Sequence, residues 1–184
     1  FFFLSAKPWT RVSVILFICF FHSLFFSPFN ALSAPTTRAE LVRVMTHDPK
    51  AFTQGLFLDG NTLYESEGLY GRSRIVRRNF PQGTLLGSMN FAPEYFGEGC
   101  ALLGDSITVL TWKENTAFIL SPDLSFQKIV SYTGEGWGLT TDGKFLWRSD
   151  GSAVLMRHNP KDFSIVELVI VHDNGIPVPL LNEL

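Results

Sequence analysis

Gly55-Leu56-Phe57-Leu58-Asp59-Gly60 returns twice in altered form, as Gly99-Cys100-Ala101-Leu102-Leu103-Gly104 and as Gly138-Leu139-Thr140-Thr141-Asp142-Gly143. Each copy brackets a first strand and runs into a tight turn: Asp59-Gly60-Asn61, Gly104-Asp105 and Asp142-Gly143-Lys144. The leading glycines are 44 and 39 residues apart. Further short apolar runs follow in each unit. They are Thr62-Leu63-Tyr64, Arg74-Ile75-Val76 and Leu85-Leu86; then Ile107-Thr108-Val109-Leu110, Ala117-Phe118-Ile119-Leu120 and Phe126-Gln127-Lys128-Ile129-Val130; then Phe145-Leu146-Trp147, Val154-Leu155-Met156 and Ser164-Ile165-Val166. A second turn cluster recurs as Pro81-Gln82-Gly83, Ser121-Pro122-Asp123 and Asn159-Pro160-Lys161. Four strands in about 40 residues make one β-propeller blade. A β-sandwich also has evenly spaced short strands, but the recurring glycine pairs favour the propeller.

The expected fold is therefore an all-β propeller, with about three blades between Ala51 and Leu168 and the opening of a fourth at Leu181-Asn182-Glu183-Leu184. A ring needs at least four blades to close. The chain is thus expected to be the N-terminal part of one propeller domain over residues 35–184, with residues 41–44 a candidate strand for completing the last blade.

The first thirty or so residues differ in composition from the rest. Lys7 and Arg11 flank an apolar run from Val12 to about Phe26; Pro28 breaks it, and Ala31-Leu32-Ser33-Ala34 offers small residues for cleavage. This is the layout of an export signal over residues 1–34, with an uncleaved signal anchor as the alternative. The run is shorter than the roughly 20 residues that span a bilayer. Removing this segment takes away Lys7 and Arg11 and no acid, leaving 13 basic against 17 acidic side chains. A mildly acidic mature chain argues against nucleic acid as a partner. Cys19 falls in the signal, so Cys100 has no disulfide partner in the mature part and reads as a small buried residue. His47, His158 and His172 stand in no metal-ligand spacing, and no Gly-x-Ser-x-Gly occurs, so neither a metal, another cofactor nor a Ser-His-Asp site is expected.

In a blade, the residues just before the first strand and the loop between the second and third strands return to one face of the ring. The pre-strand positions read Phe52-Thr53-Gln54-Gly55, Phe96-Gly97-Glu98-Gly99, Gly136-Trp137-Gly138 and Leu181-Asn182-Glu183. The second-to-third loops carry Glu65-Ser66-Glu67-Gly68-Leu69-Tyr70 and Trp112-Lys113-Glu114-Asn115. Aromatic rings, amides, carboxyls and glycines would converge there, and a carboxylate between Gly97 and Gly99 beside Phe96 would be partly desolvated, favouring its neutral form. Each residue also has a plainer reading: Glu98 as a turn or channel salt-bridge residue, Trp112 and Trp137 as core, Gln54 as a strand-end hydrogen bonder.

The stretches His47-Asp48-Pro49-Lys50-Ala51-Phe52-Thr53-Gln54-Gly55-Leu56, Glu65-Ser66-Glu67-Gly68-Leu69-Tyr70-Gly71-Arg72-Ser73, Phe96-Gly97-Glu98-Gly99, Thr111-Trp112, Gly136-Trp137-Gly138-Leu139-Thr140 and Leu181-Asn182-Glu183-Leu184 resemble the plant and bacterial glutaminyl cyclotransferases over nearly all of the mature chain. That resemblance implies a five-bladed propeller, monomeric at full length, that converts the N-terminal glutamine of peptides or proteins to pyroglutamate with release of ammonia. It also implies Glu98 as the catalytic acid, a pocket of Phe52, Gln54, Phe96, Trp112, Trp137 and Asn182, and a further lysine beyond Leu184. Cys100 departs from the aliphatic or hydroxyl residue expected beside the catalytic position. The competing readings are a non-catalytic propeller used as a binding module and a metal- or lactone-handling propeller. Loss of the carboxylate at 98 or of the aromatic walls would mark the first. The second needs several channel ligands, where only Glu98, Asn182 and Glu183 are available.

Overall fold

The computed structural model describes residues 37–184; the export signal expected over residues 1–34 lies outside the described residues. Three antiparallel four-stranded sheets follow one another along the chain, each in simple meander order. The first holds β1 (Thr53–Asp59), β2 (Thr62–Glu67), β3 (Arg74–Asn79) and β4 (Leu85–Asn90). The second holds β5 (Gly97–Leu103), β6 (Ser106–Thr111), β7 (Thr116–Leu120) and β8 (Phe126–Ser131). The third holds β9 (Leu139–Thr141), β10 (Leu146–Arg148), β11 (Val154–His158) and β12 (Ile165–Ile170). These are propeller blades, with β1, β5 and β9 the inner strands, β5 lying beside both of the others.

The blades pack face to face through two apolar layers. Tyr64, Ile75, Ile107, Val109, Phe118 and Leu120 are buried between the first and second sheets, and Leu110, Ala117, Leu139, Leu146 and Phe163 between the second and third. Because side chains alternate along a strand, Ile107 and Val109 serve the first layer and Leu110 the second. A strand covered on both faces needs no polar alternation, which is why β6 reads as Ile-Thr-Val-Leu. The hairpin glycines Gly60, Gly104 and Gly143 have φ of 54°, 60° and 83°, in the left-handed region that the turns require.

Two strands start with an irregularity. Thr53 pairs with Glu67 but Gly55 with Ser66, which leaves Gln54 outside the ladder. Gly97 pairs with Thr111 but Cys100 with Val109, so Glu98 and Gly99 together oppose Leu110. A bulge bends its strand and re-aims a side chain. The residue after each displaced one is a glycine because the inner strands approach closely there. A Cβ at Gly55 would stand 2.6 Å from the Cys100 nitrogen, and one at Gly99 would stand 2.6 Å from the Trp137 carbonyl oxygen. A Cβ at Gly138 would run into the Asn182 carbonyl.

Some boundaries differ from the sequence reading. Glu65, Ser66 and Glu67 belong to β2 and not to the following loop, because their backbones pair with both β1 and β3. Residues 41–44 form no strand, and neither do residues 181–184, although Asn182 and Glu183 sit against Gly138 as a pre-strand segment would. A small hairpin of β13 (His172–Asp173) and β14 (Ile176–Pro177), not anticipated, follows the third sheet.

Candidate active site

The irregular strand starts and the loops beside them build one cavity of about 190 Å³ lined by Gln54, Phe96, Glu98, Trp112, Trp137 and Asn182. Backbone bonds fix these segments to each other. Gly68 N donates to Phe52 O at 2.8 Å and Trp112 N to Phe96 O at 2.9 Å, so each second-to-third loop is tied to the pre-strand residue of its own blade. Gly99 N donates to Trp137 O at 2.7 Å and Gly136 N to Trp112 O at 2.8 Å, linking the second blade to the third. Two serines repeat this stitching with side chains: Ser66 Oγ donates to Glu98 O, and Ser149 Oγ donates to Asn182 O at 2.8 Å.

Glu98 is 5% exposed. Burial pushes its carboxyl up to about 8, the Gln54 side-chain hydrogen bond opposes this, and the Glu183, Glu114 and Glu135 carboxyls add to it. Glu98 is thus mostly neutral at pH 7. Glu183 is also pushed up, to about 7, by burial, against the opposing hydrogen bond from Leu56 N at 3.3 Å. Cys100, two residues on from Glu98 in β5, is buried and its thiol is pushed up to about 12 by desolvation, so it is a packing group at neutral pH.

The aromatic walls support one another. Phe96 meets Trp112 edge-on at 5.6 Å and Tyr70 at 5.3 Å, and Tyr70 donates to Glu114 Oε1 at 2.8 Å. The Phe96 ring lies over Gly68, where any Cβ would collide with it; Trp137 likewise lies over Gly151, 2.7 Å from a Cβ placed there. Of the side chains expected in the pocket, Phe52 alone does not line it. It is 48% exposed and stands against Phe96 with centroids 6.2 Å apart at 86°, backing the wall from outside. The other five converge with Glu98, Asn182 from the segment that follows the three blades and the rest from the blades themselves.

Sequence reasoning missed Glu135. Its Oε2 accepts from both Trp112 Nε1 at 2.7 Å and Trp137 Nε1 at 2.9 Å. Those two indole bonds hold its carboxyl below the usual carboxylate range, the Trp137 bond contributing most. The available signal was its place between Gly134 and Gly136, the same Gly-Glu-Gly setting as Glu98. Among the described residues, no group of three or more His, Cys, Asp or Glu side chains is placed to hold a metal ion.

The fold and site together define a β-propeller with a small acid pocket, walled by indoles and phenyl rings, at the start of its inner strands. A sequence profile described as glutamine cyclotransferase matches residues 14–184. The Arabidopsis thaliana glutaminyl-peptide cyclotransferase is 37% identical over 195 residues, covering 99% of this chain and 61% of its own. Among solved structures, Myxococcus xanthus glutaminyl cyclase matches with a TM-score of 0.72 at 32% identity, over 78% of this chain and 61% of that one. The Neurospora crassa Pan2 WD40 domain matches with a TM-score of 0.55 at 9% identity, over 64% of this chain and 36% of its own, a likeness of fold alone.

The chain belongs to the glutamine cyclotransferase family. It spans 61% of the length of the Arabidopsis and the Myxococcus relatives.

Proposed function

We propose that the protein carrying this chain is a glutaminyl-peptide cyclotransferase, an ammonia-releasing aminoacyltransferase acting on peptides or proteins with an N-terminal glutamine. The observation that carries this reading is Glu98: a carboxyl held neutral by burial inside an aromatic pocket, beside the amide of Gln54. In the reaction, the substrate α-amine attacks its own side-chain carboxamide. A C–N bond forms, the five-membered lactam closes, and the original C–N bond breaks. One proton must leave the attacking nitrogen and one must reach the departing nitrogen.

A neutral carboxyl can do both. Its O–H delivers the proton that turns the departing amide nitrogen into ammonia, and its other oxygen takes the proton shed by the amine, so Glu98 ends as it began. Gln54 orients that carboxyl, and the Asn182 amide supplies a donor to the carboxamide oxygen as charge builds on it. The rings of Phe96, Trp112 and Trp137 hold the curled side chain and exclude water; the reacting groups are already tethered, so selecting the cyclising conformer is much of the task.

The test is ammonia release from a Gln-initiated peptide with a Glu-initiated peptide as control. Turnover of neither, by well-folded protein, would sink the reading. Its pH profile has a defined shape. An α-amine titrates near 7.7–8.0, so kcat/KM should rise with pH as the nucleophile becomes neutral. Glu98 must keep its proton, so the rate should fall as pH passes about 8. A narrow bell with its maximum close to pH 8 is expected; a profile flat from pH 6 to 10 would remove Glu98 from the proton transfer.

Trp137→Ala should act mainly on substrate binding, raising KM about 10-fold or more with a smaller change in kcat, because it removes a wall and not the proton donor. A fall in kcat at unchanged KM would contradict that role.

A further inference from the structure

We propose that Glu135 is a positioning residue: its carboxylate clamps the two indole walls of the pocket and thereby sets how tightly the glutaminyl side chain is held. The substrate in this statement rests on the cyclotransferase reading; the clamp itself does not. Trp112 and Trp137 come from different blades, on the loop after β6 and on the segment before β9. The Gly136 N to Trp112 O bond joins their backbones, and the shared acceptor joins the rings themselves. A single oxygen, Glu135 Oε2, accepts from both indoles, at 2.7 Å and 2.9 Å. Hydrogen bonds to an ionised acceptor are about twice as strong as neutral ones, and two donors converging on one atom fix a separation and an angle together.

The turn that carries Glu135 is itself secured. Arg148, fully buried, donates to the carbonyls of Glu135 and of Thr133, the latter at 3.1 Å, and Asn115 Nδ2 donates to the Gly134 carbonyl at 2.6 Å. Three successive carbonyls are thus held by side chains from two blades, an arrangement far in excess of what a surface acid needs. The Lys113 ammonium is 3.9 Å from the free Oε1 and lies 3.8 Å over the Trp112 ring, capping the same assembly from outside. The Trp137 ring lies against Gly151, where a Cβ would stand 2.7 Å from it.

The test uses nuclear magnetic resonance of the indole N–H groups together with steady-state kinetics. In Glu135→Ala, the Trp112 and Trp137 N–H resonances should move while that of Trp147, bonded to Asp142 Oδ2 at 3.0 Å, stays in place. KM for a Gln-initiated peptide should rise about 10-fold or more with kcat within about threefold. Glu135→Gln keeps a carbonyl oxygen able to accept both indoles and should recover most of the loss. On the unsubstituted protein, lowering the pH should move the Trp112 and Trp137 resonances together, below the usual carboxylate range, as Glu135 takes a proton; this arm decides the matter if Glu135→Ala does not fold. Unmoved indole resonances in Glu135→Ala, an unchanged KM, or Glu135→Gln as impaired as Glu135→Ala overturns the proposal. Absence of turnover by the unsubstituted protein would instead overturn the cyclotransferase reading, with the resonances still deciding the clamp.

Discussion

Glu98→Gln is expected to lower kcat for a Gln-initiated peptide by about 10²–10⁴-fold, the usual contribution of general acid–base catalysis, with KM little changed. Glutamine keeps the shape of the side chain and can still exchange a hydrogen bond with Gln54, but it cannot pass a proton from one nitrogen to another. Loss of fold is not the expected cause. The Glu98 carboxyl titrates at about 8 in the folded chain against an ordinary value of 4.5, so the folded state holds its proton longer than the unfolded one. Its contribution to stability is therefore full below about pH 4.5 and lost as pH rises to about 8. Replacing it with a neutral amide removes that loss, so at pH 8 the variant should unfold at a temperature equal to or above that of the parent. Near-normal turnover in Glu98→Gln would remove this residue from the chemistry, and Glu183, the other acid at a pre-strand position with a raised carboxyl, would be tested next.

Gly99→Ala should cost more stability than its single methyl suggests, about 1–3 kcal/mol or more. The added Cβ would stand 2.5 Å from Leu139 N, 2.6 Å from Trp137 O and 2.7 Å from Gly138 C, all of them backbone. No rotamer change relieves such a clash; the second and third blades must move apart, and the Gly99 N to Trp137 O bond goes with them. Gly87→Ala is the control. Its Cβ would meet only the Arg77 side chain, at 3.1 Å, which can swing aside. Denaturant unfolding of the two variants checks this, and equal midpoints would mean that the inner strands have more room than their spacing indicates.

The blades were readable because their signals are local. A hairpin glycine at 60, 104 or 143 and the apolar run before it fix a strand pair within a few residues, and three such units repeat. Gln54, Phe96, Glu98, Trp112, Trp137 and Asn182 were also within reach, since pre-strand positions and second-to-third loops lie on one face of any propeller. The displaced ladder positions at Gln54 and Glu98 were not. Which residue falls out of register depends on the partner strand, and nothing in Phe96-Gly97-Glu98-Gly99 announces it. Glu135 escaped for a related reason. Its bond to Trp112 spans 23 residues, and its value comes from receiving two rings at once, a property of the folded surface and not of any spacing. Phe52 shows the converse: a ring in the right sequence position stands against Phe96 and outside the cavity lining.

The serine stitches have a consequence for how the pocket comes into being. Ser66 of the first blade holds the carbonyl of Glu98 in the second, and Ser149 of the third holds the carbonyl of Asn182 beyond it. Glu98 and Asn182 are each held at the backbone by a hydroxyl from the preceding blade, and Trp137 by the Gly99 N–H of the second. In arrays whose units touch only their neighbours, a unit can come loose while the rest persist. Here such a partial opening, anywhere between Ser66 and Asn182, would release the backbone of a site residue long before the array as a whole came apart. The shape of the pocket is thus tied to docking between neighbours, and a half-assembled intermediate would carry these side chains without the cavity they line.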